Sequence, residues 1–327
     1  HIHSADSTQK IMLRVVYAMI PAMLWSVFVF GFDAAWVTLI AIAACLAFEF
    51  LIQKYLLKGP LTINDGSALV TGVLLAFNVP SNLPAWMIVA GALVSIGIAK
   101  MSFGGLGENP FNPALIGRVF LLISFPVQMT SWPVPKALFA PGVTDAITGP
   151  TTLGILKEGI SAGKTVQELM GSAGFPGYMN DLVGAQGGSL GEISAIALLL
   201  GAAYMFFRRI ITWHIPAAYI GSAFGFSGIL WLVNPAIYID PVMHMLAGGM
   251  ILGVFYMATD MVSSPMSPRG QLVFGVGAGL LTILIRVWGA YPEGVSFAIL
   301  IMNAFTPLIN KAFKPRRFGE ALPVKKG

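Results

Sequence analysis

Apolar residues fall along this chain in ten long stretches, separated by short polar or Pro/Gly-rich breaks. The stretches cover 11–31, 34–53, 66–80, 85–99, 114–130, 191–207, 213–233, 241–258, 272–288 and 294–310. A helix that crosses a bilayer needs about 20 mostly apolar residues, so the pattern predicts about ten transmembrane helices. The third and fourth stretches are short for a crossing. Short or interrupted spans often mark broken helices beside a buried site.

Composition supports the membrane reading. Hydrophobic side chains make up 56% of the 327 residues and charged ones only 10%, with a mean hydropathy of +0.80. A soluble domain carries roughly 25% charged residues, so this chain has too few to cover a water-facing surface. The polar residues form no long tracts, which excludes a disordered chain. The 37 glycines and 21 prolines often lie inside apolar stretches, as membrane helices tolerate. No cleavable signal peptide is read. The chain opens on His1 rather than Met, so a trimmed N-terminus is expected.

The placement of charge matters more than its sum of +5, and it gives no reason to expect a nucleic-acid partner. If the N-terminus is cytoplasmic, that side receives Lys10, Arg14, Lys54, Lys58, Lys100, Arg208, Arg209, Arg269, Lys311, Lys314, Arg316, Arg317, Lys325 and Lys326. The other side receives only Lys136, Lys157 and Lys164, all within 131–190. Positive residues favour the cytoplasmic side, so both termini are expected there and the long loop outside. The expected organisation is one polytopic domain: a five-helix half over 1–130, the external loop 131–190, a second five-helix half over 191–310 and a basic tail over 311–327. Five spans per half make the halves face opposite ways, the plan of inverted repeats. The stretches beginning at Asp65 and Asp240 echo each other, each opening on Asp before a Gly-containing apolar run.

The long loop contains Asp145-Ala-Ile-Thr148-Gly149-Pro150-Thr151. Read from the residues alone it is a polar turn, with Thr148 or Thr151 placed to cap a following helix. The pattern also resembles the Asp-x-x-Ser/Thr-Gly-Ala-Thr recognition motif of flavin transferases, which join FMN through its phosphate to the last hydroxyl residue. Phe103-Gly-Gly-Leu-Gly-Glu-Asn-Pro-Phe-Asn-Pro-Ala-Leu-Ile-Gly-Arg-Val-Phe, Ile123-Ser-Phe-Pro-Val-Gln-Met-Thr-Ser-Trp, Met257-Ala-Thr-Asp and Arg286-Val-Trp-Gly-Ala-Tyr-Pro-Glu-Gly resemble the NqrB/RnfD family over nearly the whole chain. The similarity is greatest to its RnfD branch.

The resemblance implies an all-α membrane fold of the urea and ammonium channel type. It also implies a flavin-bearing subunit of an ion-pumping ferredoxin:NAD oxidoreductase, coupled to Na⁺ or H⁺. Thr151 is then the residue carrying covalent FMN, within a motif of Asp145, Thr148 and Gly149. Pro150 stands where the motif usually has Ala, and it biases Gly149 away from helix. The implied partners are the other subunits A, B, C, E and G, a flavin transferase for maturation and the surrounding bilayer. Ferredoxin and NAD are reached only through other subunits. A bacterial or archaeal inner-membrane location follows. The nearest alternative is an NqrB-type quinone-reducing subunit, and a flavin-free solute channel is the alternative of another class.

The segment Gly104–Pro113 carries three glycines and two Asn-Pro steps, so an irregular backbone lining a cavity is expected. Its glycines follow no predicted strand, which excludes a dinucleotide-binding fingerprint. In the NqrB branch a non-covalent riboflavin binds near the matching asparagines, making Asn109 and Asn112 candidates for a second flavin.

Ionisable groups at membrane depth are functional candidates by default. Glu49, Asp65, Asp260 and Glu293 are the ion-pathway candidates, each with a structural alternative as a cap, turn or ion-pair residue. Lys54 and Lys58 are rotated about 140° and about 180° from Glu49 around an ideal helix, so Glu49 has no counter-charge on its own helix. Arg286, at the outer end of its span, is a candidate partner for the FMN phosphate, with a carboxylate as its other possible partner. His214 and His244 lack ligand-like spacing, and no metal is expected. Cys45, the single cysteine, excludes an intrachain disulfide and an iron–sulfur cluster built by this chain alone.

Overall fold

The protein is described from a computed structural model covering residues 7–135, 148–172, 175–184 and 187–314. Asp145, the residues on either side of it in the loop, and the tail beyond Lys314 lie outside the described residues. Among the described residues the fold is helical apart from one two-residue ladder.

Ser7 caps α1 (Thr8–Phe30) by accepting from the Lys10 amide. Gly31, at φ +73°, ends α1 and starts α2 (Phe32–Leu51), which continues in wider turns to Leu57. A single turn at Ile63–Asp65 leads into α3 (Ser67–Phe77). α4 (Ala85–Leu93) again widens, over Val94–Ile98, and a last turn ends at Phe103. Asn112 then caps α5 (Pro113–Ser124), with Pro113 in the first turn where its missing N–H is harmless. Pro126 opens the short α6 (Pro126–Met129).

In the long loop, β1 (Trp132–Pro133) pairs antiparallel with β2 (Thr148–Gly149), setting Trp132 opposite Gly149. Three short helices follow: α7 (Thr152–Ser161), α8 (Val166–Met170) and α9 (Tyr178–Val183). The second half holds α10 (Ala195–Phe207), α11 (His214–Val233), α12 (Pro241–Leu246), α13 (Met250–Leu252, widening to Met257), α14 (Pro268–Trp288) and α15 (Val295–Ala312).

Among the described residues, six helices are long and apolar enough to cross a membrane: Thr8–Phe30, Phe32–Leu57, Ala85–Phe103, His214–Val233, Pro268–Trp288 and Val295–Ala312. Ser67–Phe77, Pro113–Ser124 and Ala195–Phe207 are shorter apolar helices. The fourth apolar stretch, expected to be short, is thus a full-length helix. The stretch expected over 241–258 is the broken one. Its helix stops at Leu246, and Gly248, at φ +68°, lies in the gap before α13.

Large apolar side chains such as Leu24, Phe28, Trp36, Leu232 and Val233 face outward, as a lipid-facing belt requires. The core is one cluster shared by both halves. Close backbone approach builds it: a Cβ on Gly201 of α10 would lie 1.9 Å from the Ala18 carbonyl oxygen of α1. A second, smaller cluster (Leu153, Leu156, Val166, Leu169, Met243 and Ala247) fastens α7 and α8 onto α12. The loop is therefore docked on the broken helix.

Candidate functional site

Thr151 is the N-cap of α7. Its backbone is extended, and its Oγ1 accepts from the Gly154 amide at 3.2 Å. The β1–β2 ladder ends two residues earlier, so strand and helix fix the hydroxyl from both sides. Thr151 is half-buried at the wall of a cleft of about 260 Å³ that includes Arg118, Trp132, Gly154, Tyr291 and Glu293. Thr152 differs in environment: it is 2% exposed and its hydroxyl bonds Asp181 Oδ1 at 2.9 Å.

Arg118 of α5 joins that cleft to the interior. Its Nη1 donates to Asn78 Oδ1 at 2.7 Å, and its Nη2 donates to Glu192 at 3.3 Å and to Glu293. A buried guanidinium flanked by two carboxylates and an amide has its donors satisfied by geometry suited to its planar fork. The gap between α12 and α13 makes room for this group, since a Cβ on Gly249 would lie 2.6 Å from Glu192 Oε1.

Arg286 is placed differently from the sequence expectation. It donates to the His244 and Ala247 carbonyls at 2.5 and 3.1 Å and lines a neighbouring cleft with Lys157, His244, Tyr238 and Trp288. Thus Arg118, rather than Arg286, shares a cleft with Thr151. Lys157 Nζ caps the end of α14 through the carbonyls of Arg286, Gly289 and Tyr291 (3.1, 2.5 and 2.9 Å). Burial pushes the pKa of that ammonium down.

At the other end of the short helices lies a second, tight cavity of about 90 Å³, lined by residues that include Ser67, Leu74, Lys100, Asn109, Asn112, Tyr256 and Asp260. Asn112 Oδ1 caps α5, and its Nδ2 donates to the Met257 carbonyl at 3.4 Å. Asn109 Nδ2 donates to the Phe111 carbonyl, while its buried Oδ1 accepts no hydrogen bond. Asp260 accepts from Ser263 Oγ at 2.8 Å and from the Val262 amide at 3.4 Å. The structure therefore brings three sequence candidates to one cavity wall.

Glu49 has a counter-charge that the local sequence hides. Lys100 Nζ donates to Glu49 Oε2 at 2.6 Å and to Ser67 Oγ at 2.5 Å, and Lys100 and Glu49 are 1% and 0% exposed. Asp65 Oδ1 accepts from the Ser67 amide and hydroxyl, which makes it a cap for α3. Lys54 is exposed and sits over the rings of Phe50 and Tyr55. No group of three or more potential metal ligands occurs among the described residues.

Residues 1–319 match the model of the NQR2, RnfD, RnfE family. The chain belongs to that family. Among NQR2, RnfD, RnfE relatives, the D component of the proton-translocating ferredoxin:NAD(+) oxidoreductase complex of Clostridium ljungdahlii is 45% identical over 98% of this chain and 94% of its own length. The D component of the Na(+)-translocating ferredoxin:NAD(+) oxidoreductase complex of Acetobacterium woodii is 44% identical over 98% of this chain and 93% of its own. That of the ion-translocating oxidoreductase complex of Stutzerimonas stutzeri is 38% identical over 96% and 93%.

Sequence reasoning did not foresee Asn78, Lys100, Arg118 and Glu192 as members of these polar clusters. An arginine inside an apolar stretch was the available signal for Arg118. Lys100 gave none, because it reads as an ordinary loop cation beside its span.

Proposed function

We propose that this chain is the D-type membrane subunit of an Rnf-type, ion-translocating ferredoxin:NAD oxidoreductase complex, and that it carries FMN as a phosphoester on Thr151. The observation that carries the flavin reading is the contrast between neighbouring hydroxyls. Thr151 opens onto a cleft, whereas Thr152 is buried against Asp181. A phosphoester at Thr151 has its negative charge at the N-terminus of the ten-residue α7, where backbone N–H groups and the helix dipole favour an anion. The bound flavin supplies the one- and two-electron chemistry. The protein's own part is positioning: α7 and the ladder hold the attachment point, Trp132 and Tyr291 wall the cleft, and Arg118 holds Glu293 at its edge.

The inner cavity is our candidate for a second, non-covalent flavin. The unpartnered Asn109 Oδ1 and the amide of Asn112 present an acceptor and a donor to a polar heterocycle. Glu49, Asp65, Asp260 and Glu293 remain the proposed ion-pathway acids, Na⁺ or H⁺ being the cargo. The short α3, α5 and α10 and the broken α12–α13 pair, added to the six long helices, make ten crossings in two inverted halves of the channel-type fold. Both termini are cytoplasmic and the Thr151 loop is external in this reading. Subunits A, B, C, E and G supply the ferredoxin and NAD sites, and a flavin transferase loads Thr151.

The test uses the assembled complex in sealed vesicles. Thr151→Ala is expected to insert normally yet lose ferredoxin-driven NAD⁺ reduction and the accompanying ion uptake. Normal turnover in that variant would sink the proposal.

A further inference from the structure

A lysine is almost never fully buried without a partner, and Lys100 is 1% exposed at the point where three helices meet. Glu49 comes from α2, Ser67 opens α3, and Lys100 follows α4. The Lys100 ammonium rests on two oxygens, Glu49 Oε2 and Ser67 Oγ. The Ser67 hydroxyl donates to Asp65 Oδ1, which turns a lone pair toward the ammonium. The second carboxylate oxygen of Glu49 accepts from Thr62 Oγ1 at 3.3 Å and from Gln53 Nε2 at 3.5 Å. The result is a small oxygen-lined seat holding a compact cation, and Thr62, which is exposed, links it to the surface.

The occupant has somewhere else to go. Lys100 also lines the inner cavity, together with Asp260 and with Asn109, whose buried Oδ1 lacks a donor. A lysine side chain is a point charge on a flexible four-carbon stem, so it can exchange one set of oxygens for another by rotating its stem. Arginine, with a planar fork, is less suited to that exchange.

We propose that the Glu49–Ser67 seat is a binding site for a monovalent cation and that the Lys100 ammonium is its built-in plug. With Lys100 in the seat, charge is balanced and no ion enters. When the ammonium swings toward Asp260 and Asn109, the carboxylate is left uncompensated and open toward Thr62, and a Na⁺-like ion replaces the ammonium with water from the cavity completing its shell. Hard oxygen ligands suit such an ion. The proposal rests on the ion-translocating reading of the complex and adds to it a gate with a named occupant.

The experiment compares thermal unfolding of the purified, assembled complex in NaCl and in choline chloride of equal ionic strength, at mildly alkaline pH. Lys100→Met removes the plug but fills similar space. It is expected to gain a Na⁺-specific rise in Tm of about 2 °C or more, which the unmodified complex lacks. Glu49→Gln combined with Lys100→Met makes the seat neutral and is expected to lose that rise. If Lys100→Met assembles only when Na⁺ is present, the same conclusion follows. Equal melting of Lys100→Met in both salts, or a Na⁺ effect that persists in the double variant, would overturn the proposal. So would failure of Lys100→Met to assemble in either salt while the double variant assembles. Covalent-flavin fluorescence and ferredoxin-dependent NAD⁺ reduction of the unmodified complex test the functional reading separately.

Discussion

Arg118 and Glu293 stand 175 residues apart in sequence and form an ion pair at the wall of the cleft that Thr151 also lines. The pair ties α5 of the first half to the turn between α14 and α15 of the second. Glu192, at the end of the long loop, shares the same guanidinium. One side chain thus joins both halves and the loop.

Replacing Arg118 by Ala leaves Glu192 and Glu293 without their shared cation. Removing one partner of a buried pair costs about 3–5 kcal/mol, so Arg118→Ala should sharply lower the Tm of the solubilised complex. Arg118→Lys keeps the charge but cannot reach Asn78 and both acids at once, and its loss should be smaller. Thermal melts of the two variants check the order.

Asn109 and Asn112 line the same cavity but do different structural work. Asn112 caps α5, so Asn112→Ala should lower stability by about 1 kcal/mol. Asn109 makes one hydrogen bond, to the Phe111 carbonyl two residues along, and Asn109→Ala should change the melt little. Both should reduce acid-extractable, non-covalent flavin while leaving covalent flavin in place, as chromatography of the extract would read. Undiminished extractable flavin in both would remove the second flavin from this cavity.

Topology is checked by reporter fusions. Fusions after Phe207 and after Asn310 should report a cytoplasmic location, and one at Gly171 an external one. A cytoplasmic signal at Gly171 would place the Thr151 cleft on the wrong side.

Tyr178 of α9 bonds Asp240, the N-cap of α12. Burial, with the Asp240 carboxylate beside it, pushes the Tyr178 phenol from 10.0 up to about 12. The folded state therefore holds this proton where the unfolded chain has released it. The corresponding stability is complete below about pH 10 and is lost as pH rises toward 12. Tyr178→Phe should flatten the alkaline decline of Tm in that window without changing the melt near neutrality by more than a small amount.

Apolar run length made the helices legible in the sequence, because lipid leaves the chain few other ways to satisfy its backbone. The interruption within 241–258 was missed, since Ala247-Gly-Gly reads as one more apolar stretch and the break depends on the positive φ of Gly248. Glu49 stood out as a buried acid, yet its partner Lys100 is 51 residues away, and helix periodicity carries no information across that distance. The motif alone points to Thr151, and the structural contrast with Thr152 comes from Asp181, which no spacing rule links to the loop motif. Arg286 and Arg118 are both arginines in apolar surroundings along the sequence, and only packing decides which of them lines the cleft with Thr151.

Peptide mass analysis of the denatured protein shows whether Thr151 bears the flavin. In the unmodified protein the peptide containing Thr151 should carry FMN less one water, with fragmentation placing the addition on Thr151. Thr152→Ala should keep the addition, at reduced stability from the lost Asp181 bond, and Thr151→Ala should abolish it. An FMN addition that survives in Thr151→Ala, or that maps to Thr148 or Thr152, would show that Thr151 is not the attachment residue.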